Sequence, residues 1–78
     1  SENEFLRNNI KLVLSRASKH YCSNVSDKKE LIAAGALGLL IALDRFDMSR
    51  NLQFSTYAVW CIDNEISKYQ VEEQPEHL

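Results

Sequence analysis

Residues 31–46, LIAAGALGLLIALDRF, form one long segment that is apolar nearly all round. Asp44 and Arg45 are its only charged residues, and alanines fill the spaces between the larger side chains. A helix of this kind lies at the centre of a bundle or has one face covered by another protein. Gly35 and Gly38 each cost about 1 kcal/mol relative to alanine inside a helix. We therefore expect a neighbouring backbone to approach this helix closely at the two glycines.

The residues just before this segment predict where its helix begins. Ser26 or Asp27 can act as the N-cap, and Asp27 with Glu30 three residues later resembles a capping box. Further upstream, apolar side chains recur at steps of three and four residues and predict a first helix. Its apolar stripe is Leu6, Ile10, Val13 or Leu14, Ala17 and Tyr21.

The residues after the central segment predict a turn and a third helix. Residues 47–51, DMSRN, are typical of a turn, and Ser55 or Thr56 starts the helix that follows. Its inner stripe is Ala58, Ile62, Ile66 and Tyr69. No alternation typical of strands competes with this pattern. We predict an all-α fold, a compact bundle of three main helices joined by short links.

Length and composition limit the chain to one small domain. It has 78 residues, of which 45% are hydrophobic and 26% are charged, as in ordinary globular proteins. We predict a single domain over residues 1–78, with an ordered core at about residues 4–71 and a frayed tail at residues 72–78 that contains Pro75. The longest uncharged stretch, residues 31–43, is too short to cross a bilayer as a helix. No membrane partner is expected.

Charge and cysteine content indicate a reduced, cytoplasmic protein without metal. The two cysteines are Cys22 and Cys61, too few for a disulfide scaffold, and we expect free thiols that are buried or half-buried. They do not form a metal-ligand spacing with His20 and His77. The formal net charge is −2, and residues 59–78 contain five acids against one lysine. A nucleic acid on this last third of the chain would meet a repulsive field.

Patterns typical of catalysis are missing from the sequence. It has no phosphate-binding glycine loop, no Ser/His/Asp constellation and no paired carboxylates in an apolar setting. His20 and Cys22 are reactive types, but an activated cysteine needs its histidine to face it. We therefore expect neither enzymatic activity nor a cofactor.

Residues 52–62, LQFSTYAVWCI, carry the most informative pattern outside the central helix. Three large aromatic residues fall within seven positions, next to hydroxyl side chains. On a helix, one outer face would contain Tyr57, Trp60 or Cys61, Asn64 and Lys68. Rings, amides and an amine in one row suit single-stranded nucleic acid, because bases stack on rings and amides read base edges. The alternative is that all these aromatic rings belong to the core.

Four segments together resemble the second conserved region of bacterial RNA polymerase sigma factors. They are NIKLV at residues 9–13, ELI at 30–32 with the two glycines that follow, LLIALDRFD at 39–47 and FSTYA at 54–58. The resemblance runs from about residue 6 to residue 69. YAV at residues 57–59, with Glu65, Ile66 and Tyr69, resembles the heat-shock class of these factors more than the primary class.

The resemblance implies two partners, core RNA polymerase and promoter DNA, with an accessory transcription factor as a further one. In the family the first two helices hold a coiled coil of the polymerase β′ subunit. By position this role falls on Ile10, Val13, Glu30, Ala33, Ala34, Ala36 and Leu40. The third helix and its preceding loop bind the single-stranded non-template strand of the upstream melting element. The matching residues are Arg50, Phe54, Thr56, Tyr57, Trp60, Asn64 and Ser67.

At three places the sequence departs from the family pattern, and each departure bears on the roles that the resemblance assigns. Residues 33–36 are AAGA, where the family has polar side chains that help to hold the polymerase. Asn51 and Gln53 stand where the loop of the family has a glycine and a basic residue. Asparagine tolerates the left-handed conformation that a glycine allows in such a turn. Asp63 stands where the family has a basic residue. Its carboxylate either repels a phosphate backbone or points harmlessly to solvent.

Two functions follow from the resemblance, and a third does not depend on it. The first is a module that docks on RNA polymerase and helps to recognise or melt a promoter. The second is a sigma-derived adaptor or transcription activator that binds polymerase or a partner protein but reads no promoter element. The third is a helical protein-interaction module whose aromatic rings are all in the core.

Overall fold

The computed structural model describes residues 2–73 and contains three α-helices in that range. They are α1 (Glu2–Ala17), α2 (Val25–Arg45) and α3 (Phe54–Glu72). The predicted all-α bundle is therefore confirmed. Glu73 follows α3 as its C-cap, whereas residues 74–78, with Pro75 and His77, lie outside the described residues. Among the helices described, none is long and apolar enough to cross a membrane.

The core lies where α2 packs against the other two helices. α3 contributes the predicted inner stripe, and Ala58, Ile62 and Ile66 are all fully buried. Leu31 and Ala42 of α2 are buried against them. Residues four apart lie on one side of a helix, so each stripe presents a continuous apolar face. Of the two possibilities that the sequence left open for α2, the structure shows a central place in the bundle, because α2 packs against both other helices.

The two glycines of α2 allow α3 to approach it closely. A β-carbon added to Gly38 would lie 2.6 Å from the Cα of Ile62 and 2.8 Å from the carbonyl carbon of Cys61. A β-carbon on Gly35 would meet only side chains, the nearest being Val13 Cγ1 at 3.1 Å. The expected backbone approach is therefore present at Gly38, while Gly35 makes room for side chains of the core.

The apolar stripe predicted for α1 is wrong in part. Val13 and Ala17 are buried, but the other predicted members of the stripe are exposed: Leu6, Ile10, Leu14 and Tyr21. The buried row continues instead through Asn9, whose Nδ2 donates a hydrogen bond to the carbonyl oxygen of Phe5 at 2.9 Å. Both rows have helical spacing and lie side by side on α1, so the position of the other helices determines which one is buried.

The helix starts differ from the predicted ones by one to three residues. Asn24 is the N-cap of α2, and its Oδ1 accepts a hydrogen bond from the backbone N–H of Asp27 at 2.7 Å. Asp27 lies inside the first turn of α2, and its carboxylate accepts a hydrogen bond from the backbone N–H of Ser23 at 3.0 Å. α3 begins at Phe54 with Gln53 as N-cap and no side-chain cap. The predictions of caps at Ser26 or Asp27, and of a start at Ser55 or Thr56, are wrong.

Candidate nucleic-acid and protein interfaces

The loop between α2 and α3 is held by Asp47. Its Oδ1 accepts hydrogen bonds from the backbone N–H of Ser49 at 2.9 Å and from the Ser49 hydroxyl at 2.7 Å. These hydrogen bonds, first the one from the hydroxyl, lower the pKa of the Asp47 carboxyl. No residue in the described range has a positive φ, so Asn51 does not adopt the left-handed conformation that asparagine tolerates. The turn is made by side-chain hydrogen bonds instead.

This loop and the start of α3 border a hollow of about 320 Å³, which we call the Trp60 hollow. It is lined by Arg45, Phe46, Asp47, Arg50, Leu52, Tyr57 and Trp60. Trp60 is 61% exposed, although a tryptophan side chain is normally well buried. The hollow thus combines aromatic walls with two guanidinium groups and with the carboxylate of Asp47, whose Oδ2 lies 3.9 Å from Arg50 Nε. The idea that all the aromatic rings belong to the core is wrong for Trp60.

The other rings of this region pack against one another beside Trp60. The ring centroids of Phe46 and Phe54 lie 5.3 Å apart in an edge-to-face contact, and those of Phe46 and Tyr57 lie 5.9 Å apart. Phe54 also contacts Phe5 of α1, with centroids 6.1 Å apart. Phe54 and Tyr57 are half-buried and pack against the core. Phe54 is therefore a supporting residue, while Tyr57 both packs inward and lines the hollow.

Tyr57 and Cys61 occupy the side of α3 that turns from the hollow towards α2. Burial raises the pKa of the Tyr57 hydroxyl, and a hydrogen bond with Cys61 adds to this effect. Cys61 is half-buried, and its backbone lies against Gly38. Between the two residues that the sequence left open for the outer face, Trp60 is the outer one.

The remaining DNA-binding candidates continue away from the hollow along α3. Thr56, Asn64 and Ser67 are exposed. Lys68 is also exposed, but its Nζ lies 3.3 Å from Oε2 of Glu65, which offsets its charge. Asn64 and Ser67 border a shallow depression of their own rather than the Trp60 hollow. The structure therefore brings Arg50, Tyr57 and Trp60 together and leaves the other candidates as a continuation of the same exposed face.

Asp63 has neither of the two orientations that the sequence suggested. Its Oδ2 accepts a hydrogen bond from Arg16 Nη2 at 2.7 Å, and its Oδ1 accepts one from Arg16 Nε at 3.1 Å. A ring nitrogen of His20 lies 3.3 Å from the same Oδ1. The carboxylate thus turns towards α1, where a two-point guanidinium contact pairs it. It does not line the Trp60 hollow, and it is only partly exposed to solvent.

The titration of Asp63 reflects this pairing. Burial on its own raises the pKa of the carboxyl, but the hydrogen bonds from Arg16 and His20, with their charges, lower it below its usual range. The same hydrogen bond raises the pKa of Arg16. Nothing in the residues around Arg16 pointed to this pairing, because the two partners are 47 positions apart in the chain.

The predicted polymerase-facing residues lie at different depths. Ile10 is 57% exposed and Leu40 is 62% exposed, and three further members are also exposed: Glu30, Ala33 and Ala36. Ala34 is half-buried. Val13 is only 4% exposed because it packs into the core beside Gly35, and burial at this depth does not favour its assignment as a contact residue.

Sequence reasoning missed two residues of these surfaces. Arg45 lines the Trp60 hollow, but it lies at the end of α2, twelve residues before Tyr57. Leu37 is exposed beside Ala33 and Ala34, and together they line the apolar floor of a groove between α2 and α3. The spacing of Leu37 and Ala33, four residues apart on one helix, was the available signal.

The cysteines behave as the sequence predicted. Cys22 and Cys61 are both free and half-buried. In the described part of the chain, no three His, Cys, Asp or Glu side chains come together as a metal site.

A family model described as Sigma-70 region 2 matches residues 5–74. The sigma-G factor of Clostridium acetobutylicum is 38% identical over 66 residues, which are 85% of this chain and 25% of the relative. The sigma factor SigA of Mycoplasma genitalium is 41% identical over 66 residues, which are 85% of this chain and 13% of the relative. The sigma factor RpoD of Helicobacter pylori is 37% identical over 68 residues, which are 87% of this chain and 10% of the relative.

This chain thus spans between a tenth and a quarter of the length of these three relatives. No solved structure matches it significantly.

Proposed function

Since this chain belongs to the Sigma-70 region 2 family, we propose that it is a transcription initiation module. It docks on the coiled coil of the β′ subunit of core RNA polymerase, and it helps to recognise or melt the upstream melting element of a promoter. Residues 1–78 act as one domain in this role. The observation that carries the DNA half of the proposal is the outward position of Trp60 beside Arg45 and Arg50.

The Trp60 hollow suits an unpaired base and its phosphates. Stacking of a base on an aromatic ring contributes roughly 1–3 kcal/mol, and taking a base out of a duplex costs a few kcal/mol. One or two stacking contacts on Trp60 and Tyr57 are therefore of the right size to offset that cost. Guanidinium groups bind phosphate oxygens with paired hydrogen bonds, which is the role of Arg45 and Arg50.

The exposed part of α3 extends the proposed contact along a single strand. Asn64 offers an amide that can both donate to and accept from a base edge. Thr56 and Ser67 offer hydroxyl groups to the sugar and phosphate backbone. Phe54 supports the rings from behind. The strand is the non-template strand of the melting element.

The polymerase half of the proposal uses the exposed side of α1 and α2. Ile10 and Leu40 supply large apolar side chains, and Glu30, Ala33 and Ala36 complete the surface with Ala34 at its inner edge. The small side chains of this surface let a partner helix approach closely. Apolar packing there replaces the polar contacts that the family makes at residues 33–36. An accessory transcription factor can share this surface. The closer kinship with the heat-shock class stays a prediction.

A strand-binding measurement tests the DNA half of the proposal. Trp60 is the single tryptophan, so its fluorescence reports on its own site. We expect an oligonucleotide that carries the melting element to quench it at lower concentration than a scrambled one does. Tyr57→Ala removes the difference, and so does Trp60→Ala when binding is followed with a labelled strand. Tyr21→Ala, which removes an exposed ring outside the hollow, leaves the difference intact.

The adaptor is the second candidate, and the AAGA sequence at residues 33–36 favours it. An apolar surface in place of the polar groups suits a partner other than the usual one. Equal and weak binding of both oligonucleotides by the unmodified chain, with polymerase capture retained, would establish the adaptor and reject promoter reading.

A further inference from the structure

The Arg16–Asp63 contact joins α1 to α3, the two helices that touch each other least. Arg16 holds both oxygens of the carboxylate, and His20 approaches one of them from the same side. The two partner side chains of the ion pair are 28% and 29% exposed, so water reaches both of them. Exposed pairs of this kind contribute little to stability. The consequence of this pair is instead that it changes the local charge and fixes the direction of the Asp63 carboxylate.

Asp63 is close to the proposed DNA-binding face. It follows Trp60 by three residues, which places it about 4.5 Å further along the helix axis, and it directly precedes Asn64. At physiological ionic strength, charges within about 8 Å of one another are only partly screened. An unpaired Asp63 would therefore act on a phosphate bound at Trp60 or Asn64.

We infer that Arg16 is a positioning residue for the DNA-binding face of α3: it turns the Asp63 carboxylate towards α1 and neutralises its charge. This inference rests on the proposed function. It explains how the chain tolerates an acid one turn from its exposed tryptophan. Asp63 is then paired within the fold, as its neighbour Glu65 is with Lys68.

The inference separates two roles that Arg16 could have near a nucleic acid. If Arg16 contacted DNA directly, its loss would weaken binding whatever stood at position 63. If it acts through Asp63, removing the carboxylate as well restores binding. Four forms of the 78-residue chain distinguish the two roles: the unmodified chain, Arg16→Gln, Asp63→Asn and the double variant. Lys19→Gln is the matched control, since it removes an exposed charge from the same turn region without touching Asp63.

The measurement is the dissociation constant for the melting-element oligonucleotide, from Trp60 fluorescence, at low and at physiological salt. We expect Arg16→Gln to weaken binding about two- to threefold at low salt, the size expected for one added charge roughly 8 Å from a phosphate in water. The double variant then binds as the unmodified chain does, Asp63→Asn binds at least as tightly because it leaves the charge of Arg16 unpaired, and the effect of Arg16→Gln shrinks as salt increases. Lys19→Gln has a smaller effect than Arg16→Gln.

A double variant that binds as weakly as Arg16→Gln would overturn the inference, and so would equal binding by Arg16→Gln and Lys19→Gln. Failure of the proposed function has a different signature, because the unmodified chain then binds no strand at all. In that case the coupling is read from the unfolding midpoints of the same four forms. If the changes in midpoint caused by Arg16→Gln and by Asp63→Asn add up to the change in the double variant, the two side chains do not interact. That result would reject the inference on its own.

Discussion

Gly38 of α2 lies against Ile62 of α3 so closely that a β-carbon on Gly38 would be 2.6 Å from the Cα of Ile62. Real β-carbons do not approach a backbone atom to this distance, so α2 and α3 can pack as they do only with glycine here. The closeness also positions Cys61 and, one residue before it, Trp60. The Trp60 hollow therefore depends on a glycine that lies in the core and touches no ligand.

Gly38→Ala is expected to destabilise the fold. Overpacking of a core typically costs 1–3 kcal/mol, which outweighs the gain of about 1 kcal/mol in helix propensity. Gly35→Ala is the matched control, because it meets side chains at 3.1–3.4 Å that can shift slightly. Chemical denaturation measures both, and equal unfolding free energies for Gly38→Ala and Gly35→Ala would contradict the assigned backbone contact.

Asn24→Ala is expected to lower the free energy of unfolding by about 1 kcal/mol, the usual effect of losing an N-cap side chain. The Asn24 side chain accepts the backbone N–H of Asp27 at 2.7 Å, and alanine cannot replace it. Ser26→Ala serves as the control, since the structure places Ser26 inside the first turn rather than at the cap. A larger loss for Ser26→Ala than for Asn24→Ala would restore the cap that the sequence suggested.

The pH dependence of stability is expected to include a contribution from Asp63. Its pKa in the folded chain is lowered, so the contribution is present above the unfolded pKa of about 3.9 and is lost as the pH falls through the folded value. The pair is partly exposed, which limits its size to about 1 kcal/mol or less. Unfolding midpoints between pH 6 and pH 2 measure it.

In that series, Asp63→Asn loses less stability on acidification than the unmodified chain does. Asp44→Asn, which removes an exposed carboxylate of α2, keeps the acid loss of the unmodified chain. Identical acid profiles for the unmodified chain and Asp63→Asn would show that the Arg16 contact does not form in solution.

Ile10→Asp and Leu40→Asp are expected to reduce capture of the chain by the isolated β′ coiled-coil fragment. Both side chains are more than half exposed, so a charge there leaves the core intact and acts on the partner. A charge at the centre of an apolar contact weakens binding roughly tenfold or more. Met48→Asp is the control, because Met48 is an exposed apolar residue in the loop, outside this surface. Undiminished capture of both variants would reject the proposed docking surface.

Local patterns predicted the elements of this fold well, but not their orientation. The inner stripe of α3 follows from the spacing of large apolar residues, and the burial of Ala58, Ile62 and Ile66 bears it out. α1 carries two adjacent rows with helical spacing, and the predicted stripe mixed them by joining Leu6 and Ile10 to Val13 or Leu14 and Ala17. The structure buries the row of Val13 and Ala17. Only the position of α2 and α3 distinguishes the two rows.

For the candidate site, residue types identified the region, and long-range contacts determined how it is used. The aromatic cluster near the start of α3 pointed to a surface for bases, and Trp60 is indeed exposed. The sequence could not tell that Arg45 joins Trp60 in one hollow, or that Asp63 turns to Arg16. Both contacts join residues that are far apart in the chain.

The sequence by itself determined three helices, a glycine-lined contact along the central one and a region rich in aromatic residues, because hydrophobic spacing and glycine act over one or two helical turns. The tertiary structure alone decided which face of α1 is buried, which ring stands outside and which charge is paired. These features depend on side chains that meet across helices, and their distances are set by packing rather than by position in the chain.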